Sequence, residues 1–330
     1  MKRNIYLKTI PPAEAVARVK ASIDREALIR EETIPSHEAS GRVLAHAVHA
    51  RYSSPTFHSA AMDGYAVNAR STFAAREGHP LTLKAGETCF AVNTGHPMPE
   101  GCDAVIMIEQ VVLDGGSVTI EAPAFPWQHV RRIGEDIVAT ELLFPRNHQL
   151  RPWDVGALLS GGIWDVPVWE RVTVRIIPTG DEVLDFTTHP DPGKGQVVES
   201  NSQMLAALAR ELGCVVERAA PVPDNPEALH QALKDSLDAG RHLTIFCAGS
   251  SAGSKDFTRA TLEKEGEILT HGIAAMPGKP SLLANCRGRL VAGAPGYPVS
   301  ALVCFKELLE PLISWLSHRE PPAKTVVPVE

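Results

Sequence analysis

The sequence predicts an α/β protein in which a doubly wound, mostly parallel sheet is joined to a β-rich domain and to an elongated linker domain of helices and strands. After residue 171, short apolar runs alternate with amphipathic helices, which is typical of a parallel sheet covered on both faces. Between residues 51 and 144, turn residues instead separate short β-like runs. The expected division is 1–50 with 145–170 (elongated), 51–144 (β-rich), 171–318 (α/β) and a tail at 319–330.

The composition is that of an ordinary globular chain. Its 330 residues are 44% hydrophobic and 22% charged, and the formal net charge of −7 gives no general attraction for nucleic acid or anionic lipid. We therefore expect neither a nucleic-acid nor a membrane partner. The N-terminus lacks a signal-peptide core, and the six scattered cysteines lack CxxC spacing and indicate reduced thiols. These features favour a cytoplasmic protein.

The first fifty residues predict two helices. Apolar side chains at helical spacing predict one over residues 12–30, and a shorter one leading into a strand is expected over 37–49. His46 and His49 have the HxxH spacing of metal ligands. Because no third candidate ligand lies nearby, we interpret them as exposed or capping side chains.

The β-rich segment carries polar residues in its loops. Its expected strands are residues 81–84, 104–108, 111–113 and 118–121, with a hairpin at Gly115-Gly116. Asp63 lies in a loop rich in Pro, Ser and Gly, and another polar loop spans residues 92–101. The pair Arg131 and Arg132 precedes two acids at 135 and 136, a cluster that by itself is more typical of a surface ion-pair patch.

The α/β segment places polar residues at the ends of its strands. A helix is expected to begin at Asn201 or Ser202, and another at Pro226. The expected strands are 172–177, 215–218, 242–247, 268–274, 281–284 and 289–292, followed by a long helix over 299–316. The polar junctions are residues 179–182, Asp224, 249–256 and 276–298. Ligands of α/β proteins bind at the carboxyl ends of parallel strands, so these junctions are the candidate site.

One junction has the character of an anion site. The apolar run 242–247 leads into the small-residue loop 248–253, and then into Asp256 and a helix-like segment. Backbone N–H groups at such a strand–loop–helix junction bind anions. The loop is neither GxGxxG nor followed by Gly-Lys-Ser/Thr, so on its own it is equally explained as a tight turn.

Taken together, the junctions resemble a known family. The motifs are SAAMDGYAV at 59–67, NTG at 93–95, PMPEGCDAVIMIE at 97–109, RRIGEDI at 131–137, PTGDEV at 178–183, AGSSAGSKD at 248–256, PGKP at 277–280 and GAPGYPVSA at 293–301. Their order and spacing are similar to those of the molybdopterin molybdenumtransferases, the MoeA and gephyrin E-domain family. The resemblance covers residues 10–318.

The resemblance implies a function and an assembly. It implies an elongated homodimer, in which a MogA-like α/β domain of one protomer faces the β-rich domain of the other across the active site. It implies that molybdate and adenylated molybdopterin react with Mg²⁺ present, so that AMP leaves and molybdenum stays on the dithiolene. A MogA-like adenylyltransferase is the implied protein partner.

The resemblance also assigns site residues. The catalytic set is Asp63, Asp136, Glu182 and Lys279, and the metal ligands are Glu182, Asp224 and Asp256. The substrate-binding set is Thr94, Gly249, Ser250, Ser251, Gly253, Pro277, Gly278, Pro295, Gly296 and Ser300. The chemistry is consistent, because several acids converging on an anionic substrate require a metal ion, and Lys279 with loop amides supplies positive potential.

The chain departs from the family pattern at several points. Met276 stands where Lys is usual, Tyr297 replaces the Asn of PGNP, and Ala248 replaces the first Gly of its loop. The family's C-terminal fourth domain has no counterpart before Glu330. The missing cation and domain lead us to expect reduced catalytic competence.

Two other functions are therefore considered. A non-catalytic protein could bind molybdopterin or molybdate to store, sense or deliver the cofactor; the retained acids favour the enzyme, whereas Met276 and Tyr297 favour this alternative. The adenylyltransferase step is the second alternative. The β-rich domain with Asp63 and Asp136 argues against it.

Overall fold

The computed structural model describes residues 9–247 and 257–321. Its first elements are α1 (Pro12–Ser22), α2 (Arg25–Leu28), β1 (Glu31–Pro35) and β2 (Val48–His49). The single helix expected over 12–30 is wrong, because the Asp24 carboxylate accepts the N–H groups of Glu26 and Ala27, both at 3.1 Å, and starts a second helix. Although the strand expected at the end of 37–49 is present as β2, the helix expected before it is wrong beyond one 3₁₀ turn at Ser36–Glu38. Its backbone pairs with residues 148–150 instead, through Gly41 N–H to Leu150 O at 2.7 Å and Leu44 N–H to His148 O at 3.0 Å.

A β-rich region follows. Its strands are β3 (Ser59–Ala60), β4 (Gly64–Val67), β5 (Leu81–Lys84), β6 (Cys89–Val92), β7 (Ala104–Met107), β8 (Val111–Asp114), β9 (Ser117–Ile120), β10 (Val130–Arg131) and β11 (Leu142–Phe144). They form small antiparallel sheets in the orders β6-β4-β7 and β5-β9-β8, with the expected hairpin joining β8 to β9. Gly64 permits the first sheet, since a Cβ there would lie 2.0 Å from the Ile106 carbonyl oxygen.

The chain then returns to the first region. It forms α3 (Pro152–Ser160) and β12 (Asp165–Trp169). β12 pairs antiparallel with β1, and β11 pairs with β2. A core that includes Leu44, Leu150 and Leu158 joins the two chain segments. This first region is therefore built from the two chain segments that flank the β-rich region.

The rest of the chain alternates strands and helices, as the sequence predicts. The elements are β13 (Thr173–Pro178), β14 (Val183–Leu184), β15 (Val197–Val198), α4 (Asn201–Glu211), β16 (Val215–Arg218), α5 (Pro226–Asp238), β17 (Leu243–Cys247), α6 (Phe257–Glu265), β18 (Gly266–His271), β19 (Leu282–Cys286), β20 (Arg289–Ala294), α7 (Pro298–Cys304) and α8 (Glu310–Leu316). The turn Phe305–Leu309 between α7 and α8 is a π-helix, so the long helix expected there is continuous but locally widened.

One six-stranded sheet organises this region, in the order β16-β13-β17-β20-β19-β18. The first four strands are parallel, while β19 and β18 are antiparallel additions. The chain leaves β13 toward β16 on one side and later returns to β17 on the other side. The crevice beyond the carboxyl ends of β13 and β17 is therefore the topological switch point, where α/β proteins bind ligands.

The sheet is covered on both faces. One core contains Leu205, Phe305 and Leu312, and it also receives Val19 of α1. The other contains Leu229, Leu233 and Phe246. Within the described part of the chain, no helix combines the length and apolar character needed to cross a membrane.

Candidate active site

Three of the four polar junctions meet at one edge of the large sheet. The parallel strands β13, β16, β17 and β20 end there. Because β18 and β19 are antiparallel and His271 pairs with Leu282, which itself pairs with Gly293, the loop between them lies at the same edge. The topology thus brings together residues 179–182, Asp224, 276–280 and 295–297. Gly249, Ser250, Ser251, Gly253 and Asp256, from the loop after β17, lie outside the described residues.

The segment after β16 pairs with the segment after β13. Val222 N–H donates to Pro178 O at 2.9 Å, and Gly180 N–H donates to Val222 O at 3.2 Å. The Asp224 N–H then donates to the Asp181 carboxylate at 3.1 Å. Two loops that are more than forty residues apart in sequence are therefore joined beside the switch point. Asp181, which sequence reasoning passed over, makes the last of these contacts.

Glu182 lies against this junction. A Cβ at Gly180 would be 3.0 Å from each Glu182 carboxylate oxygen and 2.8 Å from the Val183 side chain. Gly180 also has φ +137°, a conformation that favours glycine. The Gly of the TGDE sequence thus leaves the space that the Glu182 carboxylate occupies, and Glu182 and Asp224 belong to the same corner of the sheet.

The loop that carries Lys279 packs directly on α7. The Gly278 carbonyl accepts hydrogen bonds from the Ser281 N–H at 3.1 Å and from its hydroxyl at 2.7 Å. A Cβ at Gly278 would lie 3.1 Å from a Val303 methyl and 3.6 Å from the Ser300 carbonyl oxygen, and φ there is +113°. The lack of a side chain at Gly278 therefore permits the close approach of this loop to α7. The Lys279 side chain remains exposed.

A side chain from α4 holds the loop after β20. The Asn201 Nδ2 amide donates to the Gly296 carbonyl at 2.7 Å. The sequence predicts Asn201 or Ser202 as a helix cap, but Glu199 accepts the Ser202 N–H at 2.7 Å instead. The sequence Glu-Ser-Asn-Ser at 199–202 contains more capping groups than one helix end requires, which indicates that one of them is free to bind elsewhere.

The rim of this edge is apolar. Met276 is 88% exposed and Tyr297 is 82% exposed, while Val299 beside them is also exposed. Pro295 is buried, and Pro277 is exposed. Met276 and Tyr297, two of the departures from the family pattern, are therefore surface side chains. The backbones of their loops are held by the contacts at Gly278 and Gly296.

A second group of candidate residues lies on the β-rich region. The Asp63 Oδ1 atom accepts the Thr94 N–H at 2.7 Å and the Thr94 hydroxyl at 3.0 Å. The backbone hydrogen bond first, and then the hydroxyl, hold the pKa of the Asp63 carboxyl below its ordinary value. Asp63 is therefore an anion at neutral pH.

Asp136 is held by the chain segment that leads to Asp63. Its N–H donates to Ser54 O at 2.9 Å, and the N–H of Ile133 donates to His58 Nδ1 at 3.1 Å. The Thr94 loop is held by the same segment, through Gly95 N–H to Ala60 O at 2.8 Å. One short segment, residues 54–63, thus supports Asp63, Thr94 and Asp136 together. The neighbouring arginine pair Arg131–Arg132 is exposed.

The two groups are not joined within one chain by the described contacts. The structure describes residues 9–247 and 257–321. Among the hydrogen bonds and ion pairs within these residues, none connects the segment 51–144 to the segment 171–321. Nor do the described residues contain a cluster of three or more His, Cys, Asp or Glu side chains arranged to hold a metal ion. Each face presents acids, but the described residues of neither face form a complete metal site.

Comparison with known proteins agrees with this architecture. A model of the "MoeA N-terminal region (domain I and II)" matches residues 10–162, and a model of the "Probable molybdopterin binding domain" matches residues 175–315. A molybdopterin molybdenumtransferase of Haemophilus influenzae is 34% identical over 309 residues, covering 88% of this chain and 74% of that protein. One of Synechococcus elongatus is 32% identical over 301 residues, covering 86% and 74%.

A solved structure is similar over most of the chain. The molybdopterin biosynthesis MoeA protein from Pyrococcus horikoshii superposes with a TM-score of 0.81 at 29% identity, covering 94% of this chain and 81% of that one. The predicted fold class, an α/β sheet of the MogA-like kind with a β-rich and an elongated region, is thereby confirmed.

Proposed function

The chain belongs to the molybdopterin molybdenumtransferase family, a family of transferases, and from that premise we propose that it inserts molybdate into adenylated molybdopterin and releases AMP in a Mg²⁺-dependent step of molybdenum cofactor biosynthesis. The observation that carries the proposal is the meeting of Glu182, Asp224 and the Lys279 loop at one sheet edge. Carboxylates and a cation at a switch point suit a substrate with a phosphoanhydride.

The donor set fits Mg²⁺. Magnesium is usually held by one or two carboxylates together with substrate phosphates, rather than by a protein cage. We assign two such carboxylates to Glu182 and Asp224, whose loops are joined at one corner, and Asp256, outside the described residues, is the third proposed ligand. When bound, the ion would neutralise charge on the phosphoanhydride and make AMP a better leaving group.

The side chains of this edge have separate proposed roles. Lys279 is exposed and follows Gly278, which packs near Ser300, so Lys279 can hold a phosphate or molybdate oxygen as a compact cation. Gly278 and Gly296 bring backbone close to the ligand, and Pro277 and Pro295 flank them as contact residues. Gly249, Ser250, Ser251 and Gly253 would add backbone N–H groups for the same anion.

The β-rich face has a complementary proposed role. Because Thr94 donates two hydrogen bonds to it, Asp63 stays ionised and is a poor proton donor at neutral pH. We assign Asp63 and Asp136 to orienting the metal-bound end of the substrate, and Thr94 to fixing the Asp63 carboxylate. The exposed Arg131–Arg132 pair supplies forked donors for an oxyanion.

The assembly that follows is a homodimer with shared sites. The lack of a hydrogen bond or ion pair between the described residues of segments 51–144 and 171–321 supports a partner as the source of the second face. The exposed side chains Trp153 and Leu159 on α3, and the exposed Trp164 just after it, support a subunit interface on the elongated region. A MogA-like adenylyltransferase would supply the substrate.

Other parts of the proposal follow from the sequence. The division into 1–50 with 145–170, 51–144 and 171–318 is retained, with α1 linking the first and last through its packing on the large sheet. All six cysteines are free thiols, and burial raises the pKa of Cys214 and Cys286 to about 12, so these two are inert. This supports a cytoplasmic location.

The decisive experiment is an AMP-release assay. Purified protein with Mg²⁺, molybdate and adenylated molybdopterin should release AMP, and Glu182→Gln should abolish release while the unfolding transition stays unchanged. Reactions without protein and with a chelator are the controls. Adenylate that binds stoichiometrically, without AMP above the no-protein control, would contradict the enzyme.

That outcome would support the second candidate, a protein that binds and delivers the cofactor. The exposed apolar rim of Met276 and Tyr297 is the observation that favours it. The Met276→Lys substitution distinguishes the two functions, because this exposed position has room for a lysine ammonium. A gain in kcat/KM that is lost at high salt would mean that the missing charge limits turnover; unchanged rates would make the departure neutral.

A further inference from the structure

Arg218 occupies the last position of β16, and its guanidinium joins three chain segments. Its Nη2 donates to Asp185 at 3.1 Å and lies 3.4 Å from Glu199 Oε2, while its Nε donates to the Ser202 hydroxyl at 2.8 Å. The side chain is only 12% exposed. Asp185 directly follows β14, Glu199 directly follows β15, and Ser202 lies in the first turn of α4. We call residues 183–200 the ribbon, and Arg218 is tied to both of its ends.

The two ends of the ribbon are next to candidate site residues. Glu182 directly precedes β14, and its carbonyl accepts the Val197 N–H at 2.9 Å. Asn201 directly precedes Ser202 and donates to the Gly296 carbonyl at 2.7 Å. The position of the Glu182 carboxylate and the position of the loop after β20 therefore depend on one ribbon. Neither contact is made by Arg218 itself.

The charges make this attachment hard to replace. The Glu199 side chain is 4% exposed and also bonds the N–H and hydroxyl of Ser202. Without a cation, two carboxylates, those of Glu199 and Asp185, would remain close together in a mostly buried place. An uncompensated buried charge is strongly unfavourable, so the ribbon would move to hydrate them.

The contacts of Arg218 also depend on the planar shape of its guanidinium. Its centre lies 4.5 Å from the centroid of the Phe186 ring while its nitrogens bond in three directions. A lysine ammonium is a point charge on a flexible stem, and it lacks the planar fork that stacks and donates at once. Arg218→Lys should therefore keep the charge but not the geometry.

We propose that Arg218 is a positioning residue for the proposed reaction, one that holds the ribbon so that Glu182 and the Gly296 loop keep their places at the sheet edge. This rests on the proposed function for its catalytic consequence. The mechanical part, the attachment of the ribbon, stands on the contacts alone.

The test compares Arg218→Met and Arg218→Lys with a matched control. The control is Arg175→Met, because Arg175 lies on the neighbouring strand β13, is 18% exposed and pairs with Glu217 at 3.6 Å, away from the ribbon. Hydrogen exchange of the Val197 and Glu199 amides, which bond across the ribbon, is measured without ligand. AMP release gives kcat and KM, and urea unfolding gives global stability.

Both Arg218 variants should raise exchange at the two ribbon amides by about tenfold or more and lower kcat by about 10- to 100-fold, with a smaller change in KM, as expected when a catalytic group is misplaced by about 1 Å. Arg175→Met should lose comparable global stability without either effect. Exchange and kcat equal to those of Arg175→Met would overturn the proposal. If Arg218→Met does not fold, Arg218→Lys decides.

The two proposals fail in distinguishable ways. If the unmodified protein releases no AMP, the proposed function fails, yet the exchange measurement still decides whether Arg218 holds the ribbon. If AMP is released and the Arg218 variants match Arg175→Met, only the positioning role fails.

Discussion

The imidazole of His318 lies flat on the indole of Trp169, with ring centroids 3.9 Å apart and planes 8° apart. His318 is only 6% exposed, and neither ring nitrogen has a hydrogen-bond partner among the described residues. Burial first, and then the nearby Arg25 and Arg146 guanidiniums, lower the pKa of His318 from 6.5 to about 4. The folded chain therefore keeps this ring neutral, while the unfolded chain protonates it below pH 6.5.

The sign and size of the effect follow from linkage. Above pH 6.5 the ring is neutral in both states and costs nothing. As the pH falls from 6.5 toward about 4, the unfolded state binds a proton that the folded state does not, so the free energy of unfolding decreases. At ~1.4 kcal/mol per pKa unit, the loss is about 2 kcal/mol at pH 5 and approaches about 3 kcal/mol near pH 4.

The perturbation is His318→Phe, which keeps a planar ring on Trp169 but cannot be protonated. Because His318 has φ +54°, the variant has a constant backbone strain that does not depend on pH. Urea unfolding between pH 7.5 and pH 5 should show that the variant lacks about 2 kcal/mol of the acid-induced loss seen in the unmodified chain. His37→Gln, at an exposed histidine, should leave the loss unchanged. Parallel pH profiles for the unmodified chain and His318→Phe would refute the reasoning.

Three further outcomes are expected. Gly278→Ala should destabilise the fold by about 1–3 kcal/mol in thermal unfolding, because it adds a methyl contact at 3.1 Å to a strained φ, whereas Gly41→Ala, with open space around it, should lose less. Thr94→Val should raise the pKa of Asp63 in a carboxyl NMR titration and shift the acidic limb of the AMP-release profile to higher pH; an unmoved titration would refute the role of Thr94. Mixing Asp63→Asn and Glu182→Gln proteins should restore about a quarter of the activity if sites are shared between subunits, and none if each chain holds a whole site.

Much of the fold could be predicted because its signals are local. Fully apolar runs such as Leu243–Cys247 belong to strands buried on both faces, and Asp-Asn-Pro before residue 227 marks a helix start. The Gly115-Gly116 hairpin follows from turn chemistry alone. The predicted convergence of polar junctions follows from topology, since parallel strands must end at one edge.

The rest depends on contacts between distant segments. The helix expected over 37–49 loses to backbone pairing with residues 148–150, which no local periodicity reveals. The short strands Val183–Leu184 and Val197–Val198 pair beside the Arg218 side chain, which forms ion pairs with the acids that follow them. Asn201 likewise has a partner 95 residues away. Sequence spacing predicts none of these contacts, so the supports of the candidate site were missed, and only its candidate acids could be named.

This difference bears on what Met276 and Tyr297 mean. Both side chains are more than 80% exposed, whereas the backbones of their loops are fixed by contacts at Gly278 and Gly296. Substitution at such positions changes what the ligand meets while costing the fold little. Their departure from the family pattern therefore predicts altered ligand recognition and not a weaker fold. Stability measurements will therefore not detect the effect of these two side chains, whereas measurements of adenylate binding and turnover will.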